Sequence, residues 1–324
     1  MLKKYKINGI EMYDLLNDEI SITIIPEYGS LISSIKYIPE NFEFLYKHYK
    51  PLIKLEYVRE GFQVNDLLNL MFTGGYFEVL PNAGYLTEIN GLNFGLHDET
   101  PYLPWILKKI GEYKIELTCI LLKYPLKVKK IIELQKNNIL IKENVENLSD
   151  ESLYFSWLHH PTFGSNILSA DTQLEIDAED LIVDDSLENI HNYLMKGYHG
   201  KWPFAKSKDE KYVDLSKYPE KNSMNNNDLI YITKLNKGYF YLKNKKLGIK
   251  FYWDKKTFPY LWIWRPIGGG PGYPWYGTIY ATSIEITSSF PATGLRDQIK
   301  LGNAKIINKK ENLETELKIE ITYS

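Results

Sequence analysis

Apolar and polar residues alternate along most of this chain, which is the pattern of β-strands. Residues 20–38, ISITIIPEYGSLISSIKYI, alternate on either side of a turn at residues 26–29 and predict a hairpin. Between residues 106 and 160 come four more runs of strand length: KIELTCILL, KVKKIIELQ, ILIKENVEN and SLYFSWLHH. A late group comprises GYFYLKN, LGIKFYWD, YLWIW, GTIYATSIEIT and ELKIEITYS. Strand patterning therefore dominates both halves of the chain.

Helical periodicity is weak by comparison. Only residues 66–72 and 295–301 predict helices, each a short one. Because strands follow one another without helical crossovers, we predict antiparallel sheets that are stacked as a sandwich or closed as a barrel. Residues 190–227 are polar and contain an Asn run, and we predict a long surface excursion there. We find neither a linker nor a repeat, so we expect one all-β domain over residues 1–324.

Composition narrows the class of protein. The chain has 324 residues, of which 44% are hydrophobic, which is enough for a large core. A formal charge of -2 gives no electrostatic reason to expect a nucleic acid or a membrane as partner. Cys119 is the single cysteine, and the start of the chain lacks a signal-like apolar run, so we expect a cytoplasmic protein. The 26 tyrosines and 7 tryptophans are of the kind that line sugar sites.

Four stretches interrupt the strands with glycine, proline and reactive side chains. They are GGYFEVLPNAGY at 74–85, GLNFGLHDETPYLPW at 91–105, WLHHPTFG at 157–164, and WIWRPIGGGPGYPWYGTIYATSIEITSSFP at 262–291. In this order they resemble the galactose mutarotase-like superfamily, the aldose 1-epimerases and their relatives. The resemblance runs from about residue 20 to residue 302. It implies a large antiparallel β-supersandwich, with sugar bound in a cleft on the concave face of one sheet.

The resemblance also implies roles for four residues. Glu285, which ends an apolar strand before a small polar loop and proline, matches the family's general base. His160, in HPTF, matches the general acid. His97, in LHDE, and Asn82, in LPNAG, match the residues that hold the sugar, although Asp98 stands where relatives commonly have glycine.

Three further residues are candidate sugar contacts, each with a structural alternative. Successive side chains of a strand point to opposite faces, so His159 and His160 do not both readily reach one pocket. His159 therefore either contacts sugar or supports the structure. Glu99 either contacts sugar or closes a turn, and Trp264 belongs either to the cleft or to the core.

One acid and one base suffice to interconvert the α and β anomers of a hexose, so we expect neither a metal nor an organic cofactor. The expected partner is a small sugar, and the sequence leaves the oligomeric state open. A sugar phosphate is less favoured, because Arg265 is the only arginine in the four stretches.

Two other functions remain possible. One is a carbohydrate-binding protein without catalysis that uses the same cleft. The other is cleavage of a glycosidic bond, for which Glu78 or Glu99 would have to partner Glu285.

Overall fold

The architecture is built from antiparallel strands, as the alternating pattern predicts. The computed structural model describes residues 1–54, 67–186 and 191–324. The first strands are β1 (Leu2–Ile7), β2 (Ile10–Leu16), β3 (Ile20–Ile25), β4 (Leu31–Tyr37), β5 (Phe42–Glu43), β6 (Tyr76–Val79), β7 (Pro81–Asn82), β8 (Thr87–Ile89), β9 (Leu92–Phe94), β10 (Asp98–Glu99), β11 (Ile106–Gly111), β12 (Lys114–Ile120), β13 (Leu126–Gln135), β14 (Asn138–Asn147), β15 (Leu153–Phe155) and β16 (Leu158–Phe163). They are followed by β17 (Gln173–Ala178), β18 (Asp180–Val183), β19 (His199–Lys201), β20 (Phe204–Lys206), β21 (Tyr212–Asp214), β22 (Asn226–Ile232), β23 (Leu235–Lys243), β24 (Leu247–Trp253), β25 (Tyr260–Gly268), β26 (Ile279–Tyr280), β27 (Thr282–Thr287), β28 (Lys305–Ile307) and β29 (Asn312–Tyr323).

Two large sheets carry the fold. In the described part of the chain, the larger sheet has 13 strands in the order β1-β2-β3-β4-β6-β16-β27-β25-β22-β18-β19, with β5 beside β4 and β26 beside β25. The smaller sheet has eight strands in the order β11-β12-β13-β14-β29-β24-β23-β17. Neighbouring strands pair antiparallel, including the predicted β3–β4 hairpin. The prediction of an all-β antiparallel fold is confirmed.

The helices are short. Over the described ranges they are α1 (Leu67–Met71), α2 (Leu295–Lys300) and a 3-10 turn at Thr100–Tyr102. The first two correspond to the helices predicted at 66–72 and 295–301, of which residue 66 lies outside the described residues. Within the described ranges, no helix has the length and apolarity needed to cross a membrane.

Two predictions need correction. SLYFSWLHH was predicted as one strand, but the chain leaves one sheet and enters another within it: β15 pairs with β28, and β16 pairs with β6 and β27. Residues 190–227 were predicted as a surface excursion. The described part, 191–227, contains the short strands β19, β20 and β21 and the start of β22, which is an interior strand of the larger sheet; residue 190 lies outside the described residues.

The interior strands of the larger sheet are covered on both faces. Every residue of β16, β22 and β27 is buried. Along β6, Tyr76 belongs to the main core while the next residue, Phe77, belongs to a second buried cluster. Because alternate residues of a strand face opposite sides, the second cluster lies on the other face of the sheet. This second cluster surrounds the candidate site.

Candidate active site

Three buried side chains that can accept or donate protons meet on the outer face of the larger sheet. One nitrogen or carboxylate oxygen from each of His97, His160 and Glu285 lies within 4.8 Å of the other two. His160 Nε2 is 3.3 Å from Glu285 Oε1. All three residues line a cavity of about 280 Å³, close to the lower end of the usual size of small-molecule sites.

The register of two neighbouring strands creates the central contact. His160 lies on β16 and Glu285 on β27. These strands pair with His159 opposite Ile286 and Thr162 opposite Ser283. That register sets His160 across from Glu285, and directly opposed side chains of an antiparallel pair are close neighbours on one face. The pair is therefore fixed by sheet geometry rather than by a loop.

His160 is oriented from two further sides. Its Nδ1 is 3.2 Å from Thr162 Oγ1, which in turn is 2.9 Å from Ser283 Oγ. The Phe77 ring stacks on the imidazole with a centroid distance of 4.4 Å and an interplanar angle of 17°. When Nδ1–H donates to Thr162, Nε2 is left to exchange a proton with Glu285.

His97 is held by the turn that carries Gly84. The Gly84 N–H donates to His97 Nδ1 over 3.1 Å, and the His97 N–H donates to the Gly84 carbonyl over 3.0 Å. Gly84 has a φ of +119°, and a Cβ there would lie 2.4 Å from the Ala292 carbonyl oxygen. Because Nδ1 accepts a hydrogen bond, a neutral His97 carries its proton on Nε2.

Burial dominates the electrostatics of the site. Burial raises the pKa of the Glu285 carboxyl well above its usual 4.5. Burial, with a smaller contribution from neighbouring His97, lowers the pKa of His160 well below 6.5. Burial also lowers the pKa of His97 to about 4. In the free protein these groups favour their neutral forms, so His160 and Glu285 hold one exchangeable proton between them.

His97, His160 and Glu285 are also the described residues placed closely enough to hold a metal ion. The donor set fits a metal poorly. His97 Nδ1 already accepts the Gly84 N–H, so Nε2 of the neutral ring is protonated and neither nitrogen has a free lone pair. The arrangement suits proton transfer and hydrogen bonding better than coordination.

Aromatic side chains form much of the cavity wall. Trp262, Trp264, Trp275 and Phe72 line it. Trp264 Nε1 donates to Asn227 Oδ1 over 2.6 Å, which fixes the indole at the wall. Broad apolar rings beside a few polar groups are suited to a sugar, which has an apolar ring face and hydroxyls at its edge.

Solved structures with this architecture provide a comparison. A galactose mutarotase-like protein from Clostridium acetobutylicum has a TM-score of 0.70 at 15% sequence identity, and the match covers 100% of this chain and 99% of that one. A galactose 1-epimerase from Lactobacillus acidophilus has a TM-score of 0.65 at 14% identity, over 100% and 98%. A candidate aldose 1-epimerase from Klebsiella pneumoniae has a TM-score of 0.73 at 14% identity, over 98% and 81%. This chain has the galactose mutarotase-like fold.

The similarity lies in the structure. No protein-family model matches the sequence, and no curated protein matches it significantly. The shared fold confirms the expectation of a β-supersandwich. Function on a shared fold is argued from the site itself.

His159 lies away from the cavity in this structure. His159 is fully buried on the inner face of β16, where its Nε2 is 3.1 Å from Glu143 Oε2 and its Nδ1 is 3.0 Å from the Tyr76 hydroxyl. Of the two alternatives for His159, direct sugar contact is therefore corrected in favour of structural support. The physical reason is strand alternation, which gives the outer face to His160.

Two other predicted sugar contacts also lie outside the cavity lining. Asn82 is fully buried; its Nδ2 donates to the Tyr85 and Gly95 carbonyls and its Oδ1 accepts the Leu295 N–H. Glu99 is buried and accepts the Lys123 N–H over 2.8 Å. We correct both from sugar contacts to residues that hold turns, because neither lines the cavity and both the Asn82 amide and Glu99 Oε1 bond backbone groups. Of the two alternatives for Trp264, the structure favours the cleft, because Trp264 lines the cavity.

The sequence did not single out several residues of the wall. Asn227, Tyr85 and Phe72 line the cavity. Tyr85 ends the first of the four stretches but was given no role, and Asn227 and Phe72 lie outside those stretches. Asn227 fell within the supposed surface excursion. Trp262 and Trp275, both in the fourth stretch, are buried and line the cavity. No local sequence pattern indicates a role for Asn227, because its contact partner, Trp264, is 37 residues away in the sequence.

Proposed function

We propose that this protein is an aldose 1-epimerase that interconverts the α and β anomers of a free hexose. The observation that carries the proposal is the 3.3 Å contact between His160 Nε2 and Glu285 Oε1, made at the wall of a cavity lined by indole rings. A base and an acid side by side are what ring opening requires, and the indoles offer a surface for the ring face.

The mechanism follows from the single proton that the pair shares. Glu285, as carboxylate, takes the proton from the anomeric hydroxyl while the bond between C1 and the ring oxygen breaks. His160, as imidazolium, delivers a proton to the ring oxygen, and an open-chain aldehyde forms. Rotation about the C1–C2 bond presents the other face of the aldehyde. Closure then reverses both transfers, with His160 as base and protonated Glu285 as acid, so the pair ends in its starting state.

His97 supplies a fixed hydrogen-bond donor beside this pair. With Nδ1 accepting the Gly84 N–H, its Nε2–H is available to a sugar oxygen. The low pKa of His97, about 4, keeps the ring neutral near pH 7. A neutral donor orients the sugar without adding a second proton source to the site.

The lining favours an uncharged sugar. Among the described residues that line the cavity there is neither an arginine nor a lysine. Arg265, considered for a sugar phosphate, donates instead to the Leu215 and Lys217 carbonyls over 2.7 Å. Glu78 and Glu99, considered as partners of Glu285 in glycoside cleavage, are also absent from the described lining. We also propose that the enzyme is cytoplasmic.

Polarimetry tests the function. Freshly dissolved α-glucose and α-galactose should mutarotate faster in the presence of the protein, and His160→Asn should abolish most of this acceleration. Calorimetry with the same sugars separates catalysis from binding. Sugar binding by the parent protein without acceleration would instead support a non-catalytic carbohydrate-binding protein.

The pH profile of kcat/KM tests the shared proton. kcat/KM reports the free enzyme, in which the active form of the pair holds one proton. As pH falls, a second proton binds His160, whose pKa is lowered by burial, so the acid limb should lie below pH 6.5. As pH rises, the pair loses its proton from Glu285, whose pKa is raised by burial, so the alkaline limb should lie well above pH 4.5.

The expected result is a plateau with an acid limb below pH 6.5 and an alkaline limb well above pH 4.5. An acid limb at or above pH 6.5 would show that the active protonation state is a different one. Rates should be corrected for the spontaneous reaction at each pH, which parallel samples with bovine serum albumin provide.

A further inference from the structure

Tyr85 is a residue of the cavity wall to which the mechanism above gives no task. It lines the same cavity as His160 and Glu285. Its backbone is fixed on both sides, because its N–H donates to the Ala292 carbonyl over 2.7 Å and its carbonyl accepts Asn82 Nδ2 over 3.0 Å. The phenol ring is therefore attached at a rigid point of the wall.

A chain of hydrogen bonds runs from the Tyr85 hydroxyl to residues outside the described lining of the cavity. The hydroxyl is hydrogen-bonded to the Ser186 side chain. The Ser186 hydroxyl donates to Asp184 Oδ1 over 2.8 Å. Asp184 is 2% exposed, and the same Oδ1 accepts the Tyr231 hydroxyl, whose oxygen accepts the Ala292 N–H over 3.1 Å. The chain therefore ends on a buried and well-held carboxyl oxygen.

The order of donors in this chain makes the Tyr85 oxygen an acceptor. The Ser186 hydroxyl has one proton and gives it to Asp184, so towards Tyr85 it acts only as an acceptor. The Tyr85 proton is then directed at Ser186, and the Tyr85 oxygen keeps a lone pair for a donor in the cavity. Burial, together with the charges of Asp184 and Glu285, raises the pKa of Tyr85, so the hydroxyl keeps its proton at neutral pH.

A sugar hydroxyl is the kind of donor that fits this acceptor. Successive hydrogen bonds polarise one another, so a bond donated to Tyr85 is strengthened by the bonds that lead on to Asp184. His97 offers a donor to the sugar through its Nε2–H, and Tyr85 offers the complementary acceptor. A sugar that lacks the matching hydroxyl leaves this acceptor unused.

We propose that Tyr85 is a specificity-determining residue, whose oxygen accepts a hydrogen bond from one sugar hydroxyl other than the anomeric one. The inference rests on the proposed function, in which the anomeric hydroxyl lies at Glu285. Ser186 and Asp184 are positioning residues that keep the Tyr85 proton turned away from the sugar. The accepted hydroxyl takes no part in the proton transfers, so the contact lowers KM and leaves kcat unchanged.

The test compares glucose and galactose with their monodeoxy analogues, each of which lacks one hydroxyl other than the anomeric one. Calorimetry gives Kd, and polarimetry gives kcat and KM. Tyr85→Phe should raise Kd and KM for the better-bound full sugar by roughly 3- to 10-fold, the size of one neutral hydrogen bond, without changing kcat. For one analogue the same substitution should change neither Kd nor KM, because the hydrogen bond is already missing.

The fluorodeoxy sugar with fluorine at that same position tests the direction of the hydrogen bond. Fluorine has no proton to donate, so the parent protein should bind this sugar no better than the deoxy analogue. Binding as tight as that of the full sugar would show that Tyr85 is not an acceptor, and the proposal would be wrong. Tyr280→Phe is the matched control and should leave every Kd unchanged, because the Tyr280 hydroxyl donates to the Pro219 carbonyl over 2.7 Å and Tyr280 is not part of the described lining of this cavity.

The outcomes separate this proposal from the epimerase. If Tyr85→Phe changes Kd for the full sugar and for every analogue equally, or changes none of them, the role of Tyr85 is wrong and the epimerase stands. If binding shows the expected dependence on one hydroxyl but no sugar is accelerated, the epimerase fails and the role of Tyr85 stands. If no sugar binds, both proposals are wrong.

Discussion

Replacing Glu285 by glutamine is expected to lower kcat/KM for mutarotation by about 10²- to 10⁴-fold, the range associated with general acid–base groups. The amide preserves the size of the side chain but cannot accept the proton of the anomeric hydroxyl. Its oxygen and nitrogen can still contact His160, so sugar binding should persist in calorimetry. Initial rates from polarimetry on α-glucose measure the loss.

The same substitution should raise the free energy of unfolding at pH 7. Burial raises the pKa of Glu285 in the folded protein above its value of 4.5 in the unfolded chain. The protonated carboxyl therefore stabilises the folded state fully below pH 4.5, and this stabilisation is lost as the pH rises towards the pKa of the folded state. Glutamine is neutral at every pH and avoids this loss. Urea unfolding of the two proteins at pH 7 measures the difference.

Glu314→Gln is the control, because Glu314 is exposed on β29 of the smaller sheet. It should change neither the rate nor the unfolding free energy appreciably. A Glu285→Gln protein that retained the parent rate would remove Glu285 from the mechanism.

Replacing Lys130 by methionine is expected to destabilise the protein by about 3–5 kcal/mol, the usual effect of removing one partner of a buried ion pair. Lys130 lies between the two sheets, with its Nζ 2.5 Å from Glu78 Oε2 and 3.6 Å from Glu143 Oε1. All three residues are almost fully buried. Methionine fills a similar volume but leaves two buried carboxyl groups without their cation.

Chemical unfolding monitored by tryptophan fluorescence measures this effect. Lys142→Met is the matched control: Lys142 is exposed and lies 3.2 Å from Glu316, so its removal should change stability by less than about 1 kcal/mol. Adding Glu143→Gln to Lys130→Met should recover part of the loss, since one unbalanced carboxyl group is removed. Equal stability of Lys130→Met and the parent protein would show that the buried cluster carries no net ionic interaction.

The local pattern of the sequence predicted much of the fold. The β3–β4 hairpin, the long strands β13 and β14, and both short helices follow from alternation and turn residues that lie next to one another in the chain. The break within SLYFSWLHH was missed, because both halves have the same strand pattern. They differ in their partners: β15 pairs with β28, and β16 pairs with β6. The start of β22 was missed because its polar residues, which look exposed in the sequence, are buried and bond residues 192–194.

The candidate site was predicted in part. Motif resemblance selected His97, His160 and Glu285, which the structure brings together. It also selected Asn82, whose amide instead holds the backbone of three segments. A motif records which residue type occurs at a position, whereas the direction of its side chain depends on what packs around it.

By itself, the sequence determined the antiparallel β class, through its period of two, and the residue types able to perform acid–base chemistry. Only the tertiary structure decided that His160 rather than His159 faces the cavity, because strand register and the identity of the covering sheet are long-range properties. The contact between His160 and Glu285 joins residues 125 positions apart in sequence, and the pairing of β16 with β27 creates it. Alternation along a strand is local, but which face becomes the core is settled by the whole fold.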